Sequence, residues 1–426
     1  MARLYTAAAA SAALLAVLAW HQAKFASLIL FAQPLPASYF AYGDASKQCN
    51  VIRDPANELG FCEDVISWGL EDAHGRPRRA QRLLLSCDMN RLAWNTVMGP
   101  LRDPNPRGAL WVHDYTPGGA GLHKLELLNY PVTADFHPLG VSVFTPPEGT
   151  EHTLFVVNHG RYNSTVEVFR LAEDAPFAAT HVRTLSSPRF VSPNAVAATS
   201  ASSFYVSQDH TFTRRLRAPF GNIIPPLETI LGLPLGWVDH VSFSSSGSAL
   251  HVSRAASRIP FANGISLDNS GTQLAVASSS VGRVYLYTRS PPSNVLVHDS
   301  TIHLPFAPDN LGFDDGRLIV GGHPTLPHLI ARARNTTGVT PGSWIVSVEP
   351  RTSAQDDVDE MLLTPLPVLK RMTPHEKYLI RTLYQSNGSE SGGGWQTATS
   401  AVLDEEHGEF FVAGLYAPGI LRCTTR

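Results

Sequence analysis

Six stretches of this chain repeat one pattern, and that repetition limits the fold more than any other feature. Each begins with small or polar residues, runs through a short strand and a turn, and ends in an apolar strand. They are CEDVISWGL with RLLLSCD, HPLGVSVF with HTLFVVNH, PNAVAAT with SFYVSQDH, ANGISLDNSGTQLAVASS, DNLGFDDGRLIVGGH, and TATSAVLDEEHGEFFVAGL. The copies start near Glu63, His137, Asn194, Asn263, Asp309 and Thr397. Their uneven spacing, roughly 45 to 90 residues, leaves room for outer strands and loop insertions at the period of propeller blades. Strand pairs continuing along nearly the whole chain are too many for one β-sandwich. The sequence therefore predicts an all-β, six-bladed β-propeller.

Composition agrees with one large folded body. Of 426 residues, 43% are hydrophobic and 16% charged, enough to build a core. A net charge of −3 without a long basic run argues against nucleic acid as a partner.

Helix is expected in only two places. LYTAAAASAALLAVLAW, Leu4 to Trp20, is apolar and uncharged and follows Arg3. It falls just short of the ~30 Å hydrocarbon thickness, and no small-x-small cleavage site follows it. Residues 1–34 are therefore read as an uncleaved hydrophobic signal-anchor and membrane-proximal segment, with residues 35–426 as the propeller. A cleaved signal is the alternative; either places the body on the lumenal or extracellular side. The second place is the insertion APFGNIIPPLETILGLPLGW, residues 218–237. It reads either as a lid or membrane-touching segment over one mouth, or as a helix packed on the propeller.

Asn163, Asn335 and Asn387 stand in N-glycosylation acceptor sequences. The four cysteines, Cys49, Cys62, Cys87 and Cys423, suit two disulfides in an oxidising compartment. Joining Cys49 to Cys423 would close a very long loop, which a circular fold can exploit, and would leave Cys62 and Cys87 to bridge neighbouring strands. The residues alone leave all three connectivities open.

In a propeller the starts of the innermost strands converge on one axis. Glu63 and Asp64, Asn194, Asn263, and Asp309 with Asn310 occupy those starts in four copies. Carboxylates and amide oxygens without thiolates suit a hard cation with six to eight oxygen ligands, calcium better than magnesium. Zinc would call for His or Cys. Any one Asn or Asp here is a plain turn former, but recurrence at one phase of several copies favours a cage. His159 closes the apolar strand HTLFVVNH, at the lip where such a pocket would lie. His137 and His210 read as structural.

Eight segments, CEDV, VVNHGRYNSTVEVFRL, SPNAVA, SQDHTF, FANGISLD, PDNLGFD, VGGHP and the final LRC, resemble the paraoxonase and arylesterase family of calcium-dependent lactonases. The resemblance covers residues 49 to 423 in order. It implies a six-bladed propeller closed by a Cys49–Cys423 disulfide, with a retained hydrophobic N-terminus. It implies a catalytic calcium on Glu63, Asn194, Asn263, Asp309 and Asn310. The catalytic histidine pair would be His159 and His181, with Asp209 as a further proton relay and His323 in the pocket wall. Departures are plain. The family's second, structural calcium uses an Asp matching Asp64 and another directly after the metal-binding Asn, where this chain has Ala195. Gly322 replaces a cysteine of some relatives, and the Cys62/Cys87 pair has no counterpart in the best-known members.

The expected function is hydrolysis of lactones and aryl esters, with a cation-polarised carbonyl attacked by a His159-activated water. No GxSxG elbow is present to suggest a serine hydrolase. Two other classes compete. One is a calcium-stabilised propeller that binds a ligand or partner without turnover, and the other is a sugar-lactone hydrolase using a different divalent ion. The expected partners are a small lactone or ester and, through the N-terminus, a membrane surface.

Overall fold

The computed structural model describes residues 39–40, 43–68, 81–146, 151–244, 249–314, 316–351, 377–389 and 394–425, with a few isolated positions before residue 17. The signal-anchor expectation therefore falls almost wholly outside the described residues. Among the described residues no helix is long and apolar enough to cross a membrane.

Six sheets of four or five strands form the molecule. Their innermost strands are Cys62–Ser67, Pro138–Phe144, Pro193–Ser200, Ala262–Leu267, Ala307–Asp314 and Ala398–Asp404. These are the first strands of the six sequence copies. Each touches the next around a ring, and the sixth returns to the first. The chain is a six-bladed β-propeller, as its repeat predicts.

Blade packing follows from strands that bury both faces. Arg82–Cys87, the second strand of blade 1, carries three consecutive leucines. Leu83 and Leu85 pack with Phe411, Ala413 and Ile420 of blade 6, while Leu84 packs with Val156 and Phe169 of blade 2. A period of two along the strand thus glues both neighbours.

The ring is closed by its ends. Cys49–Ile52 pairs antiparallel with Ile420–Thr424, so the first strand of the ring completes the last blade. Cys49 and Cys423 face each other there and are disulfide-bonded. Cys62 and Cys87 likewise join the two inner strands of blade 1. Two short edge strands extend other blades: Tyr39–Phe40 beside Tyr378–Ser386, and Glu126–Leu128 parallel to Ala178–Leu185.

The insertion forms a helix, Phe220–Ile230. A second helix, Leu326–Ala333, was not expected from the sequence. Asn163 and Asn335 are exposed, whereas Asn387 is half-buried.

One irregularity recurs in every blade and positions the site. The register between the innermost strand and its neighbour slips at Cys62/Asp64, Pro138/Val141, Pro193/Val196, Ala262/Ile265, Pro308/Leu311 and Ala398/Ala401. A bulge frees a residue from the ladder and re-aims its side chain. The freed residues include Glu63, Asn194, Asn263, Asp309 and Asn310. Inner strands also approach closely here. A Cβ on Gly140 would stand 2.5 Å from the Ala195 Cα, and one on Gly264 2.6 Å from the Asn310 Cα.

Candidate metal centre

The slipped residues of blades 1, 3, 4 and 5 are all buried at the axis. Their hydrogen bonds show which atom each presents. Asn194 donates Nδ2 to Asp209 Oδ2 at 3.2 Å. Asn263 donates Nδ2 to Ser279 Oγ at 2.9 Å, and Ser279 Oγ passes its own hydrogen to Pro308 O at 2.6 Å. Asn310 donates Nδ2 to Glu63 O at 2.9 Å and to Glu63 Oε1 at 3.0 Å. Every amide nitrogen is thus tied back. Among the described residues, the atoms of these four side chains left buried without a partner are oxygens: Glu63 Oε2, Asn194 Oδ1, Asn263 Oδ1 and Asn310 Oδ1.

Native interiors do not leave four acceptors unpaired side by side, because each costs about 1–3 kcal/mol. Burial, together with the Asp64 and Asp309 carboxylates, holds the Glu63 pKa well above its ordinary 4.5. Asp309 adds a further carboxylate, with Oδ2 accepting from His323 Nε2 at 2.7 Å. Carboxylate and amide oxygens from separate strands fit a hard divalent cation of calcium's coordination habit. Among the described residues no three His, Cys, Asp or Glu side chains gather as a metal cluster; the donor set is mixed carboxylate and amide.

Asp64 lies just below this group. Its Oδ2 accepts from Val141 N at 3.1 Å, and burial pushes its pKa up to about 6. Ala195 lines the same cavity as Asp64, buried and without a side-chain oxygen to offer.

Two cavities meet at the cage. The one on the side of the strand starts is lined by Glu63, Asn194, Asn263, Asp309 and His323, with Val97, Met98, Leu326 and Leu329 across its mouth. Its free space is about 50 Å³. The other, about 310 Å³, follows the inner strands towards their far ends. Of the cage residues, Asn310 reaches it, with Asp64 at its head.

The histidines separate into three environments. His323 gives Nε2–H to Asp309, and its Nδ1 is buried without a partner. His159 lies in a smaller adjoining cavity with Thr96, Asp209 and Arg215. Its Nε2 meets the carbonyl of Pro193 at 2.6 Å and therefore carries the hydrogen, so Nδ1 accepts from the Thr96 hydroxyl. Burial pushes the His159 pKa down to about 4. His181 is not brought to either cavity. It sits on the third strand out in blade 2, with Nε2 3.2 Å from Glu167 Oε2, between the rings of Tyr130 and Phe169.

Asp209 divides its oxygens between Asn194 and His210 Nδ1, the latter at 2.8 Å, and His210 Nε2 continues to Thr229 on helix Phe220–Ile230. His137, read as structural, pairs Nδ1 with Asp88 Oδ2 at 2.8 Å. Gly322 has no room for a side chain: a Cβ would meet Ala307 O at 2.2 Å. Sequence reasoning missed Arg91, Asn95 and Thr96, which come from a loop of blade 1 outside the repeat.

A propeller whose blades send oxygens from slipped strand starts to one axial cage is the class that fold and site define together. The sequence profile of the family described as Arylesterase matches residues 101–371, and the chain belongs to that family. It is 30% identical over 230 residues to serum paraoxonase/arylesterase 1 of Mus musculus, covering 52% of this chain and 59% of that protein. With serum paraoxonase/arylesterase 2 of Homo sapiens it shares 27% over 315 residues, 74% of this chain and 76% of the relative. A luciferin-regenerating enzyme aligns in structure at a TM-score of 0.45 and 13% identity, over 88% of this chain and 95% of that one.

Proposed function

We propose that this protein hydrolyses lactones and aryl esters with calcium held at the axial cage. The four unpartnered oxygens of Glu63, Asn194, Asn263 and Asn310 carry the reading. With Asp309 they would hold the ion. Bound there, it would supply Lewis-acid polarisation of an acyl oxygen. Membership of a family whose curated relatives are named paraoxonase and arylesterase supports the ester chemistry.

The chain's own groups handle the proton. His323 is fixed by Asp309, and its free Nδ1 is the acceptor best placed to take a hydrogen from water in the cavity. His159, the base expected from sequence, receives a proton at Nδ1 only by way of the Thr96 hydroxyl. The unoccupied Nδ1 favours His323. Asp209 is a positioning residue that turns the Asn194 oxygen to the axis. Val97, Met98, Leu326 and Leu329 exclude water over the mouth.

The proposal extends to a membrane or lipid surface met by helix Phe220–Ile230. Phe220, Ile223, Leu227 and Ile230 are each roughly half exposed and recur along one side of helix Phe220–Ile230. Flotation with lipid vesicles tests this; a protein that stays at the bottom of the gradient refutes it.

Lactone turnover by the secreted body from residue 35 onward, before EDTA, after EDTA and after calcium is returned, tests the main reading. Activity that vanishes and returns supports it. Turnover resistant to EDTA sinks the metal mechanism. A protein stabilised by calcium that turns over no lactone is the binding propeller instead.

A further inference from the structure

Among the described residues no carboxylate stands within ion-pair distance of one guanidinium in the wall of the cage cavity, although its charge reaches Glu63 and partly offsets the rise of that carboxyl's pKa. Arg91 is 3% exposed and lines that cavity with Glu63, Leu139 and Asp309. Its Nε donates to Phe61 O at 3.4 Å and its Nη2 to Pro138 O at 3.3 Å. Both bonds are long, and both end on neutral carbonyls. Among the described residues Nη1 has no hydrogen-bond partner. An arginine stays ionised, and a charge this deep is costly unless an anion meets it.

Its place in the ring is specific. Blade 2 brings no oxygen to the cage, because its slipped position holds Leu139. Arg91 lies on this arc, bound to the carbonyl just before that leucine. Away from the cage oxygens and His323 the wall also carries the apolar Val97, Met98, Leu326 and Leu329. Among the described residues Arg91 is the guanidinium of this cavity, and beside that apolar stretch of wall it suits an acid with an apolar chain.

We propose that Arg91 is a carboxylate subsite, holding the acid that ester hydrolysis leaves in the cavity; this rests on the hydrolytic reading above. In that reaction water's oxygen bonds to the acyl carbon, the acyl C–O bond breaks, and the leaving alkoxide takes one of water's protons. The acid formed gives up its remaining proton, so a negative charge appears where the neutral ester had none. A guanidinium fork meets such a carboxylate with charge-assisted hydrogen bonds. Arg91 thereby distinguishes product from substrate and sets how long an apolar acid stays.

The test is calorimetric titration of octanoate, and of its neutral isostere octanamide, into the calcium-loaded full chain. Arg91→Gln is expected to weaken octanoate about 10- to 100-fold while octanamide changes less than about twofold. Unchanged octanoate binding, or equal loss for both ligands, overturns the subsite. If Arg91→Gln does not fold, Arg91→Lys carries the test, with octanoate weakened about tenfold and the calcium titration unmoved. A loss of calcium affinity with octanoate intact also overturns it, leaving Arg91 as a counter-charge to the cage. Failure of the wild type to turn over any lactone would fall on the hydrolytic reading alone, since the titration needs no turnover.

Discussion

Asn194 gives its Nδ2 to Asp209 Oδ2 across 3.2 Å, and that bond decides which end of the amide faces the axis. Asp209 is held in turn by His210, whose other nitrogen reaches Thr229 at 2.7 Å. The oxygen offered to a cation is therefore set two residues back from the cage.

Asp209→Ala removes the acceptor for Asn194 Nδ2 and with it the reason for Asn194 to keep its orientation. Calcium affinity is expected to fall about 10- to 100-fold, as for other losses of a ligand's supporting partner. Calcium-dependent thermal stabilisation measures it, and an unchanged midpoint would contradict this role for Asp209.

The cage should favour proton uptake in the cation-free protein as pH falls from 7 to about 5, while the buried His159 and His240, both held near 4, work the other way. Burial pushes Asp64 from its ordinary 3.8 up to about 6, and Glu63 is raised further in kind by burial, Asp64 and Asp309. For groups raised on folding, the native state binds more protons than the unfolded chain. Their contribution is fully present below the ordinary values and is lost as pH rises through the raised ones. The rise in melting temperature that calcium gives over EDTA is therefore expected to be larger at pH 7 than at pH 5. A calcium increment equal at the two pH values would rule this linkage out.

His323→Gln is expected to lower kcat about 10²- to 10⁴-fold, the usual size of a lost general base. His159→Gln keeps groups able to meet Thr96 and Pro193, and should cost less than about tenfold. Single-turnover rates on one lactone compare the two. The reverse order would return the proton to His159 through Thr96.

The inner half of every blade was legible because six strand starts share one phase and four of them one chemistry, and slipped registers keep that chemistry together at the axis. The amide ligands could be found from Asn194 and Asn263 for the same reason. Arg91 and Thr96 could not: they lie in a loop with no equivalent in the other copies. Helix Leu326–Ala333 was hidden because two prolines in HPTLP read as loop, although Pro327 stands in the first turn, where its missing N–H costs nothing. Partners across outer strands were equally out of reach. The register of Ser164–Ala172 against Ala178–Leu185 shifts between Val168 and Phe169, and no sequence period announces that His181 will meet Glu167.

The seam in blade 6 bears on how the molecule is made. Glu63 enters early in synthesis, yet its bonds to Asn310 span 247 positions of chain. The two are held across the axis by a ring that shuts only when Ile420–Thr424 arrives to receive Cys49–Ile52. A nascent chain stopped shortly before Ile420 already carries every oxygen of the cage. It has no closed circle to hold them in, and its ribosome-distal strand waits with an open edge.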